Sequence, residues 1–443
     1  AAAVSFLLKR GAQVYMYDDV TEGTVQKTMA EFMQKGAVAV QEGEIAALIK
    51  ECDVLVLSPG IPIDHALPVA FRKAGKRIIG ESELGCLYLR AALFAVTGTN
   101  GKTTTVTMLD EIFRAAGEKS VACGNNGLPL TACVDELDYG DIAVMEVSSF
   151  QLETLSSIRP HVAIVTNIAA DHLNRHYSME NYIFLKSKLL RNMRESEYAV
   201  LNYDDPAVKN FAADARCPVR WFSVRERVSG AYLFDGGLYF ENEKIMDASD
   251  LPLQGEHNVK NALAAICAAK LAGVASGVIA SALSHMRGVR HRIQTVDEVN
   301  GVTYINDSKG TNVDAALNAV ACMQADTVLL LGGKDKGYDY DELFSKLRGS
   351  RVIQCVLYGE NRFKLLNSAV RANESRITLC TDFDTAVRLA SMMAKPGQNV
   401  LLSPASSSFD AFSGYEERGE RFEKIVEELK GPQTECACAS GDH

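Results

Sequence analysis

The chain has 443 residues, 47% of them hydrophobic and 23% charged, with a net charge of −10. That length exceeds what one hydrophobic core usually holds, so about two to four domains are expected. The negative balance excludes a broad nucleic-acid or anionic-membrane surface, so an anionic ligand would need a local basic pocket. The cysteines show no Cys-x-x-Cys pair, which favours reduced thiols over a disulfide framework. Ala262 to Leu283 is the longest small-apolar stretch. It carries Lys270 and lacks long Leu/Ile/Val runs, so it reads as packed helices rather than a membrane span. No signal-peptide pattern opens the chain, so a cytoplasmic location is expected. The start without Met is read as an incomplete N-terminus.

Ala1 to Arg10 is predicted as a helix, and Gln13 to Tyr17 as a strand ending at Asp18 and Asp19. An acidic residue there could meet a ribose hydroxyl, but the glycine loop of such a unit is missing, and both are left out of the site. The strand Asp53 to Leu57 runs into Ser58-Pro59-Gly60-Ile61-Pro62, a rigid turn where α/β sheets place ligands. Next comes an apolar run, Leu93 to Val96, followed by Thr97-Gly98-Thr99-Asn100-Gly101-Lys102-Thr103-Thr104. Val106, Leu109, Phe113 and Ala116 then fall at helical spacing. A strand-to-helix turn aims backbone N–H groups and a helix N-terminus at one point, which suits a phosphate. Lys102 adds positive charge, and the Thr103 hydroxyl can hold Mg²⁺. Val96 stands at the first glycine of the usual G-x-x-x-x-G-K-[ST] pattern.

The strand Asp141 to Met145 ends in Glu146, a carboxylate able to bind Mg²⁺ beside a phosphate loop. The strand His161 to Val165 leads to Asn167 and Asp171-His172, and Lys186 and Lys188 follow on a predicted helix. Beyond the Ala-rich helices, the strands Val302 to Ile305, Thr327 to Leu331, Val352 to Leu357 and Asn399 to Leu402 each end in a polar loop. Repeated strand–loop–helix units predict parallel sheets with their polar loops along one edge. A last helix buries Phe422, Ile425, Val426 and Leu429. Residues from 433 are expected to form a disordered tail that includes Cys436 and Cys438.

With these loops the sequence resembles the Mur ligases, ATP-dependent amide-forming enzymes of the peptidoglycan stem peptide. The resemblance rests on Ser58-Pro-Gly-Ile-Pro62, Glu146-Val-Ser-Ser-Phe-Gln-Leu-Glu153, Asn306-Asp-Ser-Lys-Gly-Thr-Asn312 and Leu402-Ser-Pro-Ala-Ser-Ser-Ser-Phe409. The last two are most like the member that adds D-glutamate to UDP-N-acetylmuramoyl-L-alanine, and the Asp-Asn-Pro-Arg motif of the sibling adding a diamino acid is absent. The resemblance implies an α/β chain of three domains. These are a Rossmann-like domain over 1–91, a P-loop domain with a mostly parallel sheet over 92–289, and a Rossmann-like domain over 290–432.

It further implies that Gly98, Thr99, Asn100, Gly101, Lys102, Thr103 and Thr104 hold the ATP phosphates. Asn261 would touch adenine, and Arg292, Asp307 and Lys309 the ribose and phosphates. Thr103 and Glu146 would bind one Mg²⁺, and His172 with a carbamylated Lys186 a second. Lys102, Glu146, His172 and Lys186 would be the catalytic set. Ser58, Pro59, Gly60, Asn125 and His172 would meet the sugar-nucleotide substrate, and Thr311, Lys336, Ser408, Phe409 and Tyr415 the D-glutamate. A monomer without nucleic-acid partners is implied. Asn174 stands where the family shows Asp in D-H-x-D-R.

Three other readings stay open at this point. Another ligase of the same fold, including a folylpolyglutamate synthase, would share Lys102, Glu146, His172 and Lys186 but differ in the third domain. A nucleotide-binding regulator would need the phosphate loop alone. A dinucleotide oxidoreductase would need the G-x-G-x-x-G that the sequence lacks.

Overall fold

A computed structural model describes residues 1–19, 23–253, 255–286, 288 and 290–430. The tail expected from residue 433, with Cys436 and Cys438, lies outside the described residues. The chain forms two compact units. The first comprises 1–170, 175–252 and 256–286, and the second 171–174, 253–255 and 287–443.

The first unit is built on a nine-stranded sheet among the described residues. Its pairings are parallel from Ser120–Gly124 through Ile142–Glu146, Ala92–Thr97, Val162–Val165, Tyr198–Asn202 and Val219–Ser223 to Gly230–Phe234. Strands of a parallel sheet are covered on both faces, which is why Val162–Val165 and Ile142–Glu146 are buried throughout. Helix Lys102–Ala115 starts at Gly101, whose φ of 83° is left-handed and suits glycine. Its apolar face, Val106, Leu109 and Phe113, is buried. Truncating Leu109 to Ala would cost about 2–5 kcal/mol. Helix Glu256–Leu271 packs on that helix through small side chains, with Ala262, Ala264, Ala265, Ala268 and Ala269 all buried. No helix among the described residues is long and apolar enough to cross a membrane.

The first 91 residues add two small parallel pairs, Tyr15–Met16 with Val38–Ala39 and Val54–Leu57 with Arg77–Gly80. The predicted strand Gln13 to Tyr17 is thus only two residues long. Helix Glu81–Cys86 ties this region to the large sheet. Glu81 accepts from the amide and hydroxyl of Thr131 at 2.7 and 2.6 Å. Glu83 accepts from Ser156 and Ser157, and these donors outweigh its burial and hold its carboxyl below the usual range.

The second unit carries a six-stranded sheet among the described residues, in the order Gln294–Val299, Val302–Asn306, Asn399–Leu402, Thr327–Gly332, Val352–Tyr358, Ile377–Leu379. One face is covered by Ala316, Phe344, Leu365 and their neighbours. The other is covered by Phe383, Val387, Phe422 and Val426.

Neither large sheet is wholly parallel among the described residues. Gly237–Phe240 and Glu243–Asp247 extend the large sheet antiparallel, and Gln294–Val299 pairs antiparallel with Val302–Asn306. The turns decide this. Asp235 and Gly236 have φ of 45° and 72°, and Asn300 and Gly301 of 54° and 77°. Two successive positive φ values make the tight turn that reverses a strand.

Candidate functional site

In the first unit the phosphate loop leaves the buried strand Ala92–Thr97 and enters helix Lys102–Ala115. Two glycines permit its close contacts. A Cβ on Gly98 would lie 1.9 Å from the Thr166 hydroxyl, and one on Gly101 2.3 Å from Asn261 Oδ1. The Asn261 side chain, expected near adenine, therefore lies against the loop, where Thr105 also bonds it at 3.4 Å. Asn167 Oδ1 accepts from the Asn100 amide at 2.9 Å, Thr166 donates to the Asn100 carbonyl at 2.6 Å, and Thr99 Oγ1 meets the Tyr182 hydroxyl at 3.1 Å. These bonds hold the loop in one conformation at the N-terminus of helix Lys102–Ala115, a position that suits an anion. Lys102 Nζ folds over the loop, donating to the carbonyls of Gly98 at 3.1 Å and Thr99 at 2.8 Å. The Thr104 hydroxyl is buried without a hydrogen-bond partner among the described residues.

Glu146, at the end of its strand, is buried at 3% exposure. Its Oε2 accepts from the Thr103 hydroxyl at 2.7 Å and its Oε1 from Asn125 Nδ2 at 2.8 Å. The structure thus brings together three of the expected residues, Thr103, Glu146 and Asn125. Among the described residues no three His, Cys, Asp or Glu side chains gather as a metal cage. A hydroxyl beside one carboxylate is instead the donor set of Mg²⁺ that takes its other oxygens from phosphates and water. Lys186, at 1% exposure, donates to the Gly98 carbonyl at 2.7 Å and lies 4.7 Å from the Tyr182 ring centroid.

The loop with Ser58, Pro59 and Gly60 also belongs to the first unit. Arg175, which closes the Asp171-His172-Leu173-Asn174-Arg175 stretch but is given no role by the sequence reading, donates to the carbonyls of Gly60 at 3.1 Å and Ile61 at 3.0 Å.

The second unit carries His172, Arg292, Asp307, Lys309, Thr311, Lys336, Ser408, Phe409 and Tyr415. Lys336 Nζ donates to Thr311 Oγ1 at 3.4 Å and lies 3.6 Å from Asp171 Oδ1. Asp171 also accepts from the Tyr338 hydroxyl and from Asn312 Nδ2, and His172 Nε2 is 3.5 Å from it. Burial first, then the Asp171 carboxylate, pushes the Tyr338 phenol up, so it stays a donor. His172 has a φ of 54°, a left-handed conformation that costs a non-glycine residue.

Asp307 is buried, and its pKa is pushed up to about 6 by desolvation, against the pull of Arg292 and of the Ser403 hydroxyl 2.6 Å away. The buried Nε of Arg292 has no hydrogen-bond partner among the described residues. Lys309 Nζ sits 4.9 Å from the Tyr415 ring centroid. Ser408 is buried while Phe409 is 65% exposed. The loop carrying them is pinned by Arg418, fully buried and unforeseen. It donates to the carbonyls of Ser308, Ser406 and Ser407 at 2.8, 3.1 and 3.2 Å. Its place on the i, i+4, i+7 row with Phe422 and Ile425 was the available signal.

Two family models match the chain: Mur ligase middle domain over residues 96–269, and Mur ligase, glutamate ligase domain over residues 291–406. The chain is 40% identical over 427 residues to the UDP-N-acetylmuramoylalanine–D-glutamate ligase of Thermoanaerobacter pseudethanolicus, covering 95% of this chain and 94% of that one. It is also 40% identical over 428 residues to the protein of that name from Caldanaerobacter subterraneus subsp. tengcongensis, covering 96% and 95%. MurF from Acinetobacter baumannii superposes with a TM-score of 0.64 at 18% identity, covering 95% of this chain and 92% of that one. A MurF ligase from Thermotoga maritima in complex with ADP gives 0.62 at 16%, covering 94% and 98%. At such identity the likeness is one of fold, the three-domain α/β arrangement of these ligases.

Proposed function

The chain belongs to the Mur ligase family, and from that premise we propose that it joins D-glutamate to UDP-N-acetylmuramoyl-L-alanine, driven by ATP, during peptidoglycan precursor synthesis. The observation that carries the reading is the phosphate loop with Thr103 against the buried Glu146, in a chain 40% identical to ligases of that name. The reaction has two steps. The alanyl carboxylate attacks the γ-phosphate of ATP, giving an acyl phosphate and ADP. The amine of D-glutamate then attacks the acyl carbon, inorganic phosphate leaves, and the amine proton goes to solvent or a base.

Two anions meet in the first step, so positioning and charge neutralisation dominate. Gly98, Thr99, Asn100, Gly101 and Thr104 offer backbone and hydroxyl donors to the phosphates, and Lys102 a cation. The buried Thr104 hydroxyl, without a hydrogen-bond partner among the described residues, supports the phosphate assignment of its loop. Asn261 is assigned to the nucleotide side, and Arg292, Asp307 and Lys309 to ribose and phosphates. Mg²⁺, when bound, supplies charge neutralisation between phosphate oxygens. Thr103 and Glu146 are its proposed ligands, and His172 and a carbamylated Lys186 are further ligands by family analogy. Ser58, Pro59, Gly60 and Asn125 are assigned to the sugar nucleotide. Thr311, Lys336, Ser408, Phe409 and Tyr415 are assigned to D-glutamate, whose two carboxylates match a cation beside hydroxyls. The proposed domains remain 1–91, 92–289 and 290–432, in a cytoplasmic monomer.

The test is ATP-dependent phosphate release with UDP-N-acetylmuramoyl-L-alanine across D-glutamate, L-glutamate, L-lysine and diaminopimelate. Release with D-glutamate alone is expected. Release with another amino acid in its place would reassign the specificity, and amino-acid-independent turnover would remove the ligase reading.

A further inference from the structure

The loop after strand Val54–Leu57 is an unusual piece of backbone. Pro59 and Pro62 contribute no N–H, and the turn is closed by the Ile61 amide on the Ser58 carbonyl at 3.0 Å. Its outward carbonyls are taken by one side chain from far along the chain. Arg175 Nη1 donates to the Gly60 carbonyl at 3.1 Å, and Nη2 to those of Ile61 at 3.0 Å and Pro59 at 3.4 Å.

The other edge of the same guanidinium is held as firmly. Arg175 Nε and Nη2 grip both oxygens of Glu153 at 3.0 and 2.6 Å, and the guanidinium lies 4.9 Å from the Phe150 ring centroid. Glu153 and Phe150 stand on helix Ser149–Thr154, three residues beyond the strand that ends in Glu146. A second tie comes two residues on. Tyr177, with a left-handed φ of 66°, donates its hydroxyl to Asp64 at 2.6 Å, although its ring is 75% exposed. An exposed aromatic held in a costly backbone conformation to reach a loop carboxylate is a built contact rather than a packing accident.

We propose that Arg175 and Tyr177 are positioning residues that set the 58–64 loop for the sugar-nucleotide substrate. Through Glu153 they register it against the strand end that carries Glu146. The proposal rests on the assignment of Ser58, Pro59 and Gly60 to that substrate. A planar fork with five donors spans a carboxylate and a row of carbonyls together; a lysine ammonium reaches one of them at a time. Arg175→Lys therefore keeps the charge and loses the registration.

The test uses the full chain with Arg175→Lys and Tyr177→Phe, the second removing only an exposed hydroxyl. Phosphate release is measured while each substrate is varied in turn, and amide hydrogen exchange is followed over 58–64. The expected result is a KM for UDP-N-acetylmuramoyl-L-alanine raised about tenfold or more in Arg175→Lys and about threefold in Tyr177→Phe. The KM for ATP and for D-glutamate should stay within about twofold, and amides 60, 61, 63 and 64 should exchange faster. Equal rises in all three KM values, or a sugar-nucleotide KM unchanged in both variants, would overturn the proposal. If the unmodified protein does not turn over this substrate pair, the functional reading falls by itself. The loop claim is then decided by exchange, and unchanged exchange in both variants overturns it.

Discussion

Lys102 and Lys186 both donate to the carbonyl of Gly98, so two amines converge on one backbone oxygen of the loop. Lys102 is half-buried at the first position of helix Lys102–Ala115 and adds little to the core. Lys102→Ala should therefore fold normally and lose about 10²–10³ in kcat, as expected when one charge stabiliser is removed from a transferring phosphoryl group. A circular-dichroism melt with phosphate release would check both halves; normal turnover would leave the loop a merely structural turn. Asp307 gives a second test at this scale. Its folded pKa of about 6 lies above the ordinary aspartate value of 3.8. Between those values the folded chain holds a proton that the unfolded chain has lost. The stability tied to the neutral carboxyl is thus fully present below about pH 4 and lost as pH rises through 6. A displacement of that size corresponds to about 3 kcal/mol. Denaturant unfolding across pH 4 to 7 should show Asp307→Asn gaining on the unmodified protein by that order. A pH-independent difference would mean that Asp307 is ionised throughout.

Among the elements, the second unit holds its expected amino-acid residues on loops at strand ends, with Lys336 against Thr311 and Asp171. The Asp171 carboxylate keeps Tyr338 and Asn312 as donors when Lys336 is removed, so the fold should survive Lys336→Ala. That variant should raise the KM for D-glutamate about tenfold or more, with the KM for ATP little changed, because an anionic group loses its charged partner. Equal effects on both would assign Lys336 to phosphate binding. The buried parallel strands were legible because they are unbroken apolar runs closed by polar loops, as at Leu93 to Val96 and Thr327 to Leu331. The antiparallel edges were also written in the chain, in Asp235-Gly236 and Asn300-Gly301, but the repeating strand–loop–helix pattern points toward parallel pairing. Thr103 and Glu146 were legible because each closes or opens a regular element. The task of Arg175 was not, although the residue closes the stretch matching D-H-x-D-R, because its carbonyl partners lie 114–116 residues away and the four-residue helix Leu173–His176 carries no periodic signal. Arg418 was hidden for the converse reason: its helical row marks it as buried, but nothing local says that its partners would be loop carbonyls.

For the whole molecule, each unit repeats one device. A covered, mostly parallel sheet delivers polar loops to its strand ends, and the chemistry sits on those loops. The first unit gathers the phosphate loop, Glu146 and Lys186, and the second gathers Asp307, Lys336 and the Ser406–Ser408 turn. In the proposed reaction an oxygen of the alanyl carboxylate becomes part of the released phosphate. The most direct measurement labels that carboxylate with heavy oxygen and follows the label by mass spectrometry during turnover with ATP and D-glutamate. The account predicts one labelled oxygen in each inorganic phosphate released with D-glutamate, and an amide product that keeps the other. Phosphate without label, released in step with ATP loss, would contradict it.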